Sequence, residues 1–101
     1  MTDEQKKNQA IFNKALYLLD ANKVVQGEEA LRSCIESSRK TSDLFGLIPS
    51  LTCLGELLTE LDRKDEAKIL LREALTLAAE NPEIDDVFDV ELQHARELID
   101  L

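Results

Sequence analysis

The side chains that could do chemistry in this chain are few and widely spaced. His94 is the single histidine, and no serine or cysteine stands at a spacing that predicts a nucleophile activated by it. Glu56 and Glu60 lie one helical turn apart, a spacing that could serve acid–base catalysis or a metal ion, but paired carboxylates on a helix are far more often solvated. We therefore expect no catalytic residue and no enzyme activity.

Motifs for metals and cofactors are also missing from the sequence. Asp85, Asp86 and Asp89 lack the glycine and the ligand spacing of a calcium-binding loop, and no glycine-rich phosphate loop occurs. Cys34 and Cys53 sit among apolar residues, which predicts two buried reduced thiols rather than a metal cluster or a disulfide framework. We expect no metal and no cofactor.

Charge and composition narrow the class of protein. The 101 residues carry a net charge of −9, and residues 80–101 contain eight acids and one arginine. This sign disfavours nucleic acid and favours a basic partner or simple solubility. No apolar run is long enough to span a membrane, and residues 1–7 lack the apolar stretch of a signal peptide. The composition predicts one small cytoplasmic domain, residues 1–101, that contacts neither nucleic acid nor membrane.

A short phrase that occurs twice indicates a helical repeat, the element that must position these side chains. Gly27-Glu28-Glu29-Ala30 returns 37 residues later as Lys64-Asp65-Glu66-Ala67. Each copy opens one helical pattern and follows another, so the repeating unit is a helix pair that stacks on its neighbours. The spacing predicts repeat 1 at about 8–43, repeat 2 at about 44–82 and a C-terminal helix at about 83–101.

Apolar periodicity predicts an all-α fold with five helices. The predicted helices span about 4–22, 24–40 (or 27–40), a third segment that ends near 61, a fourth between the turn at 62–64 and the stop at 81–83, and 83–101. Pro49 leaves the start of the third helix open, because proline is poorly tolerated in a helix interior. This helix begins near Leu47, or it begins at Asp43 and kinks. Thr41-Ser42-Asp43 is a capping cluster in front of it.

Residues 51–77 resemble the tetratricopeptide repeat (TPR) family, in its long-repeat type. The residues that carry the resemblance are Leu51, Leu54, Gly55 and Leu58 in the first helix, and Ala67, Leu71 and Ala74 in the second. The resemblance implies antiparallel helix pairs stacked as an α-solenoid, with two and a half repeats and a concave groove lined by the first helices. It implies no enzymatic activity.

The resemblance also assigns groove positions to this chain. They are Phe12, Ala15, Leu19, Asn22 and Lys23 in the first repeat, Pro49, Thr52, Glu56, Thr59 and Glu60 in the second, and Asp86, Asp89, Gln93 and Arg96 in the partial third. The first set is mainly apolar and the later two are mainly acidic. The simpler interpretation of the acidic sets is the charged face of a solvated helix.

Three functions are compatible with this sequence. The first is an adaptor or assembly factor that binds a peptide or helix of another protein in the groove. The second is a small acidic chaperone, immunity protein or inhibitor that masks a basic or nucleic-acid-binding surface of its partner. The third is a structural module that self-associates, forming a homodimer through an exposed end of the helix stack.

Overall fold

The computed structural model describes residues 1–101, of which 85% are helical and none form a strand. Its six helices are α1 (Asp3–Asp20), α2 (Val24–Lys40), α3 (Leu44–Glu60), α4 (Lys64–Glu80), α5 (Pro82–Val87) and α6 (Asp89–Ile99). The predicted all-α helical stack is confirmed. The predicted number of five helices is wrong, because the backbone of Phe88 (φ −111°, ψ 30°) leaves the helical region and divides the last helix in two. None of the helices has the length and apolarity needed to cross a membrane.

The chain forms two compact units, Met1–Ser50 and Leu51–Leu101, whose boundary lies within α3. In the first unit α1 packs along α2, and the three-residue connection between them makes the two helices antiparallel neighbours. In the second unit α4 packs against both α5 and α6. The apolar cores of both units therefore lie between helices that follow closely in sequence.

Three connections share one conformation, which sets where the helices end. Asn22, Ser42 and Asp62 have φ angles of 63°, 53° and 62°. After each of them, the next residue's amide donates to a carbonyl five positions earlier, as in Lys23 N to Leu18 O at 2.8 Å. This is the Schellman arrangement, in which a left-handed residue ends a helix and its last carbonyls find donors. α2, α3 and α4 therefore begin at regular intervals of 20 residues.

The structural repeat of a helix pair is 40 residues, and the predicted offset of 37 is wrong. α2 and α4 contain 17 residues each, and 40 positions separate their first residues, Val24 and Lys64. At this offset the buried residues coincide: Gly27, Leu31, Cys34 and Ser38 of α2 with Ala67, Leu71, Ala74 and Ala78 of α4. The offset of 37 came from aligning the acidic residues near the starts of the two helices. The packing instead depends on the buried small residues, which align at an offset of 40.

Two side-chain caps set the starts of α1 and α3. Asp43 Oδ1 accepts a hydrogen bond from Gly46 N at 3.1 Å, so Asp43 is the N-cap and α3 begins at Leu44. Pro49 lies inside this helix, which decides the open question in favour of the early start. Thr2 and Gln5 form a reciprocal capping box at α1, in which the Thr2 hydroxyl accepts from the Gln5 amide and the Gln5 side chain accepts from the Thr2 amide.

A hydrogen-bonded polar network lies in the core of the first unit. Asn8 is fully buried, and its Nδ2 donates to Asp43 Oδ2 at 2.9 Å and to Thr41 Oγ1 at 3.2 Å. The hydroxyl of Ser37 donates to the Oδ1 of Asn8. Every buried side-chain nitrogen and oxygen has a partner. The network thus fixes α1 against α2 and against the cap of α3.

Candidate acidic surface of the second unit

The net negative charge of the protein is located entirely in its second unit. Residues 1–50 contain seven Lys or Arg and seven Asp or Glu, so the first unit is neutral. Residues 51–101 contain five Lys or Arg and fourteen Asp or Glu, which gives the full −9. A charge concentrated in this way attracts cationic partners to one part of a molecule.

Four side chains from α3 and α6 form what we call the acidic surface: Glu56, Glu60, His94 and Glu97. The imidazole of His94 lies between two carboxylates, with Nε2 3.7 Å from Glu56 Oε2 and Nδ1 3.8 Å from Glu97 Oε2. About half of each of the Glu56 and His94 side chains is accessible to solvent (49% and 48%). Glu60, one turn further along α3, is also exposed. All four side chains are therefore accessible from solvent.

Cys53 lies beside this surface on α3 and is a half-buried, free thiol. Burial raises the pKa of its thiol to about 11, and the negative charges of Glu56 and Glu60 contribute to the same shift. The thiol is therefore protonated at neutral pH, which makes it a poor nucleophile.

The remaining predicted groove residues of the second unit divide into exposed and buried side chains. Asp86, Asp89 and Gln93 are exposed on α5 and α6. Arg96 is half-exposed and pairs with Asp85 of α5, with 3.5 Å between Nη2 and Oδ1. The side chains of the two predicted α3 threonines are less accessible. Thr52 is buried, and the hydroxyl of the half-buried Thr59 donates to the carbonyl of Gly55.

The residues predicted for the first repeat do not form one exposed set. Phe12 and Leu19 are half-buried on α1, and Asn22 and Lys23 are exposed in the turn. Pro49, which was predicted for the second repeat but belongs to the first unit, is half-buried in α3. Ala15 is fully buried and belongs to the core. The 40-residue offset explains its burial, because Ala15 then corresponds to Gly55, which is buried too. The same offset places Leu16, which is 38% exposed and is not among the predicted groove positions, at the position of Glu56.

The acidic surface offers charge rather than a set of metal ligands. Nowhere in the structure do three or more His, Cys, Asp or Glu side chains converge in a way that could hold a metal ion. Its carboxylates are solvated and spread along two helices, so what they can do is attract and orient a positively charged group.

Comparison of the chain with protein-family models, curated proteins and solved structures finds no match. The resemblance to tetratricopeptide repeats therefore stays a prediction, and the function is inferred from the charge and geometry described above.

Proposed function

We propose that the protein is a non-enzymatic protein–protein interaction module of the cytoplasm, with a TPR-like architecture, that serves as an adaptor or assembly factor. Its acidic surface would bind a basic peptide or helix of another protein. The observation that carries this proposal is the confinement of the −9 charge to residues 51–101, where Glu56 and Glu60 are exposed side by side on α3.

Such a surface acts mainly on the rate and specificity of association. Exposed ion pairs each contribute about 0–1 kcal/mol to affinity, but their summed field accelerates the encounter with a partner of opposite charge. Salt weakens this attraction, since the Debye length falls to about 8 Å at physiological ionic strength. Binding should therefore be faster at low salt.

The test is a matched pair of charge-reversal variants. Glu56→Lys with Glu60→Lys alters the acidic surface, whereas Glu29→Lys with Glu36→Lys alters two exposed glutamates on α2 of the neutral unit. Both double variants have the same net charge. A partner captured by the wild-type chain is then measured by surface plasmon resonance at two salt concentrations, and circular dichroism verifies the fold of each variant.

We expect the Glu56/Glu60 variant to associate at least several-fold more slowly and the Glu29/Glu36 variant to resemble wild type. Equal association rates for all three chains, independent of salt, would reject the acidic surface as the binding site. The apolar side chains near Phe12 and Leu19 would then be tested next.

The second candidate is a small acidic chaperone, immunity protein or inhibitor that masks a basic or nucleic-acid-binding surface of its partner. The exposed Asp86 and Asp89 favour it, because they extend the negative charge beyond α3 and the middle of α6. An activity assay of the captured partner separates the two functions. A masking protein abolishes the partner's own activity in proportion to occupancy, whereas an adaptor leaves it intact.

Self-association is favoured by one further observation at the C-terminal end. Val87 and Val90, on either side of the break at Phe88, are 56% and 73% exposed. If these side chains pack against a second copy, light scattering will give twice the monomer mass, and Val90→Asp will restore the monomer. A monomer mass at high concentration excludes this function.

A further inference from the structure

One face of α1 is open to solvent, whereas the corresponding face of α3 is covered. α2 packs on that side of α3, where the hydroxyl of Ser50 donates to Cys34 Sγ at 3.0 Å. Six residues of α3 on this face are all buried: Leu47, Ser50, Leu51, Leu54, Leu57 and Leu58. At the 40-residue offset they correspond to six residues of α1, which we call the lysine face: Lys7, Ala10, Ile11, Lys14, Tyr17 and Leu18. None of these six is buried.

The lysine face combines apolar side chains with positive charge. Tyr17 is 71% exposed, and Ile11 and Leu18 beside it are half-buried. Lys7 and Lys14 are exposed two helical turns apart, and residues 6–19 contain three lysines and no acid. Such a face fits a partner surface that is both apolar and negative. Pairing of two lysine faces is disfavoured, because like charges would meet.

The second unit carries a surface of this complementary kind. Val90 precedes His94 of the acidic surface by four residues on α6, so the two side chains are neighbours on one helix face. Val87 and Val90 are 56% and 73% exposed. The acidic surface, with the carboxylates of Glu56 and Glu97, is therefore bordered by exposed apolar side chains.

We propose that the basic helix bound by the acidic surface is α1 of a second copy of this chain, which presents its lysine face. This rests on the function proposed above, in which the acidic surface binds a basic peptide or helix. The apolar side chains of α1 cover Val87 and Val90, while its lysines approach the carboxylates. Because the contact joins two different surfaces, a pair of copies keeps one free surface of each kind, and further copies can add.

The test is a charge swap measured by sedimentation velocity. Lys7→Glu with Lys14→Glu reverses the lysine face, and Glu56→Lys with Glu60→Lys reverses the acidic surface. Wild type, each variant and an equimolar mixture of the two variants are compared over a range of concentrations at low and high salt. Circular dichroism verifies the fold of every chain.

Matched controls carry the same changes of charge elsewhere. Lys23→Glu with Lys40→Glu alters two exposed lysines outside the lysine face. The Glu29/Glu36 variant described above is the control for the acidic surface. Both controls should associate as wild type does.

We expect wild type at low salt to reach the mass of two or more chains as its concentration rises, and to dissociate as salt screens the charges. Each reversed variant alone should associate at least roughly tenfold more weakly, because like charges then meet at the contact. The mixture of the two reversed variants should regain association, because opposite charges meet again.

Three results would overturn the proposal. Wild type that stays monomeric at every concentration excludes a second copy as the partner. Association retained by the Lys7/Lys14 variant means that α1 is not in the contact, and association retained by the Glu56/Glu60 variant means that the acidic surface is not. The proposed function fails separately: if a captured partner binds with a rate that depends on Glu56 and Glu60, that function stands even when wild type is monomeric.

Discussion

Gly55 of α3 lies directly against the side chain of Leu71 of α4. A methyl group added at Gly55 would approach Leu71 Cγ to 2.6 Å, and Leu71 is itself fully buried. We expect Gly55→Ala to destabilise the protein, although alanine is about 1 kcal/mol better than glycine in a helix, because overpacking costs about 1–3 kcal/mol. Urea unfolding monitored by circular dichroism measures the difference.

A double-mutant cycle separates the steric effect from helix propensity. In a Leu71→Ala background the methyl group of Gly55→Ala has room, so the same substitution should become neutral or stabilising. Equal destabilisation in both backgrounds would mean that the contact with Leu71 is not the cause.

Ala67 and Ala74 of α4 are two small residues in the core of the second unit. Both are fully buried, whereas Ala79 on the same helix is exposed. Ala67→Leu and Ala74→Leu should each lower the free energy of unfolding by about 1–3 kcal/mol through overpacking. Ala79→Leu, which adds the same atoms at the surface, should change it by less than about 0.5 kcal/mol. An unchanged melting temperature for both buried variants would contradict the packing of α4.

The helices were predictable from periodicity, but their exact repeat was not. The sequence phrase aligned Gly27 with Lys64, whereas the structure pairs Gly27 with Ala67, since burial of a small residue sets the register. The helix break at Phe88 was also not predictable, because an apolar residue that continues the helical periodicity gives no local indication of a break. The burial of Asn8 was not predictable either. A polar residue on a helix is expected to be exposed, and the side chains that satisfy Asn8 lie more than 25 residues away in the sequence.

Asn8 should be among the most sensitive positions of the first unit. Asn8→Ala removes the amide that donates to Asp43 and to Thr41, and leaves a buried carboxylate with one donor fewer. Each buried polar group left unsatisfied costs about 1–3 kcal/mol, so we expect a loss of at least about 2 kcal/mol. Gln9→Ala is the control, because Gln9 is exposed and bonds only to exposed Asn13. Similar chemical-denaturation midpoints for the two variants would exclude a stabilising network.

Ser42 offers a stabilising substitution. Its φ of 53° lies in the left-handed region, which costs an L-residue other than glycine about 1–2 kcal/mol. Ser42→Gly removes that cost and adds some chain entropy to the unfolded state, so we expect a net gain of about 0.5–1 kcal/mol. Ser33→Gly, at an exposed position inside α2, should instead lose about 0.5 kcal/mol. Calorimetric melting temperatures that shift in the same direction for both would contradict this explanation.

For the acidic surface, the exposure of its glutamates on α3 was predictable from the sequence, but the contact between α3 and α6 was not. The exposure of Glu56 and Glu60 follows from their place opposite the apolar stripe of α3. The contact between Glu56 and His94 does not follow, because it depends on how α6 is rotated after the break at Phe88. Sequence periodicity assigns a face to each helix, but it contains no information on such a rotation.

Cys53 should react slowly with thiol reagents. With its pKa raised from 9.0 to about 11, the thiolate fraction at pH 8 falls roughly a hundredfold, and alkylation by iodoacetamide should slow in proportion. Peptide mapping by mass spectrometry separates Cys53 from the buried Cys34, and the urea-unfolded chain gives the unperturbed rate. Because desolvation is the first cause of the shift, Glu56→Gln with Glu60→Gln should accelerate the reaction only in part.

The raised pKa of the Cys53 thiol also predicts a loss of stability at alkaline pH. The thiol of the unfolded chain ionises near pH 9 while the folded chain keeps its proton, so stability falls as the pH rises from about 9 to about 11. Cys53→Ala removes this titration, and its melting temperature should fall less over that range than that of wild type. Parallel alkaline melting curves, together with labelling at the unfolded rate, would place Cys53 in solvent rather than beside the core.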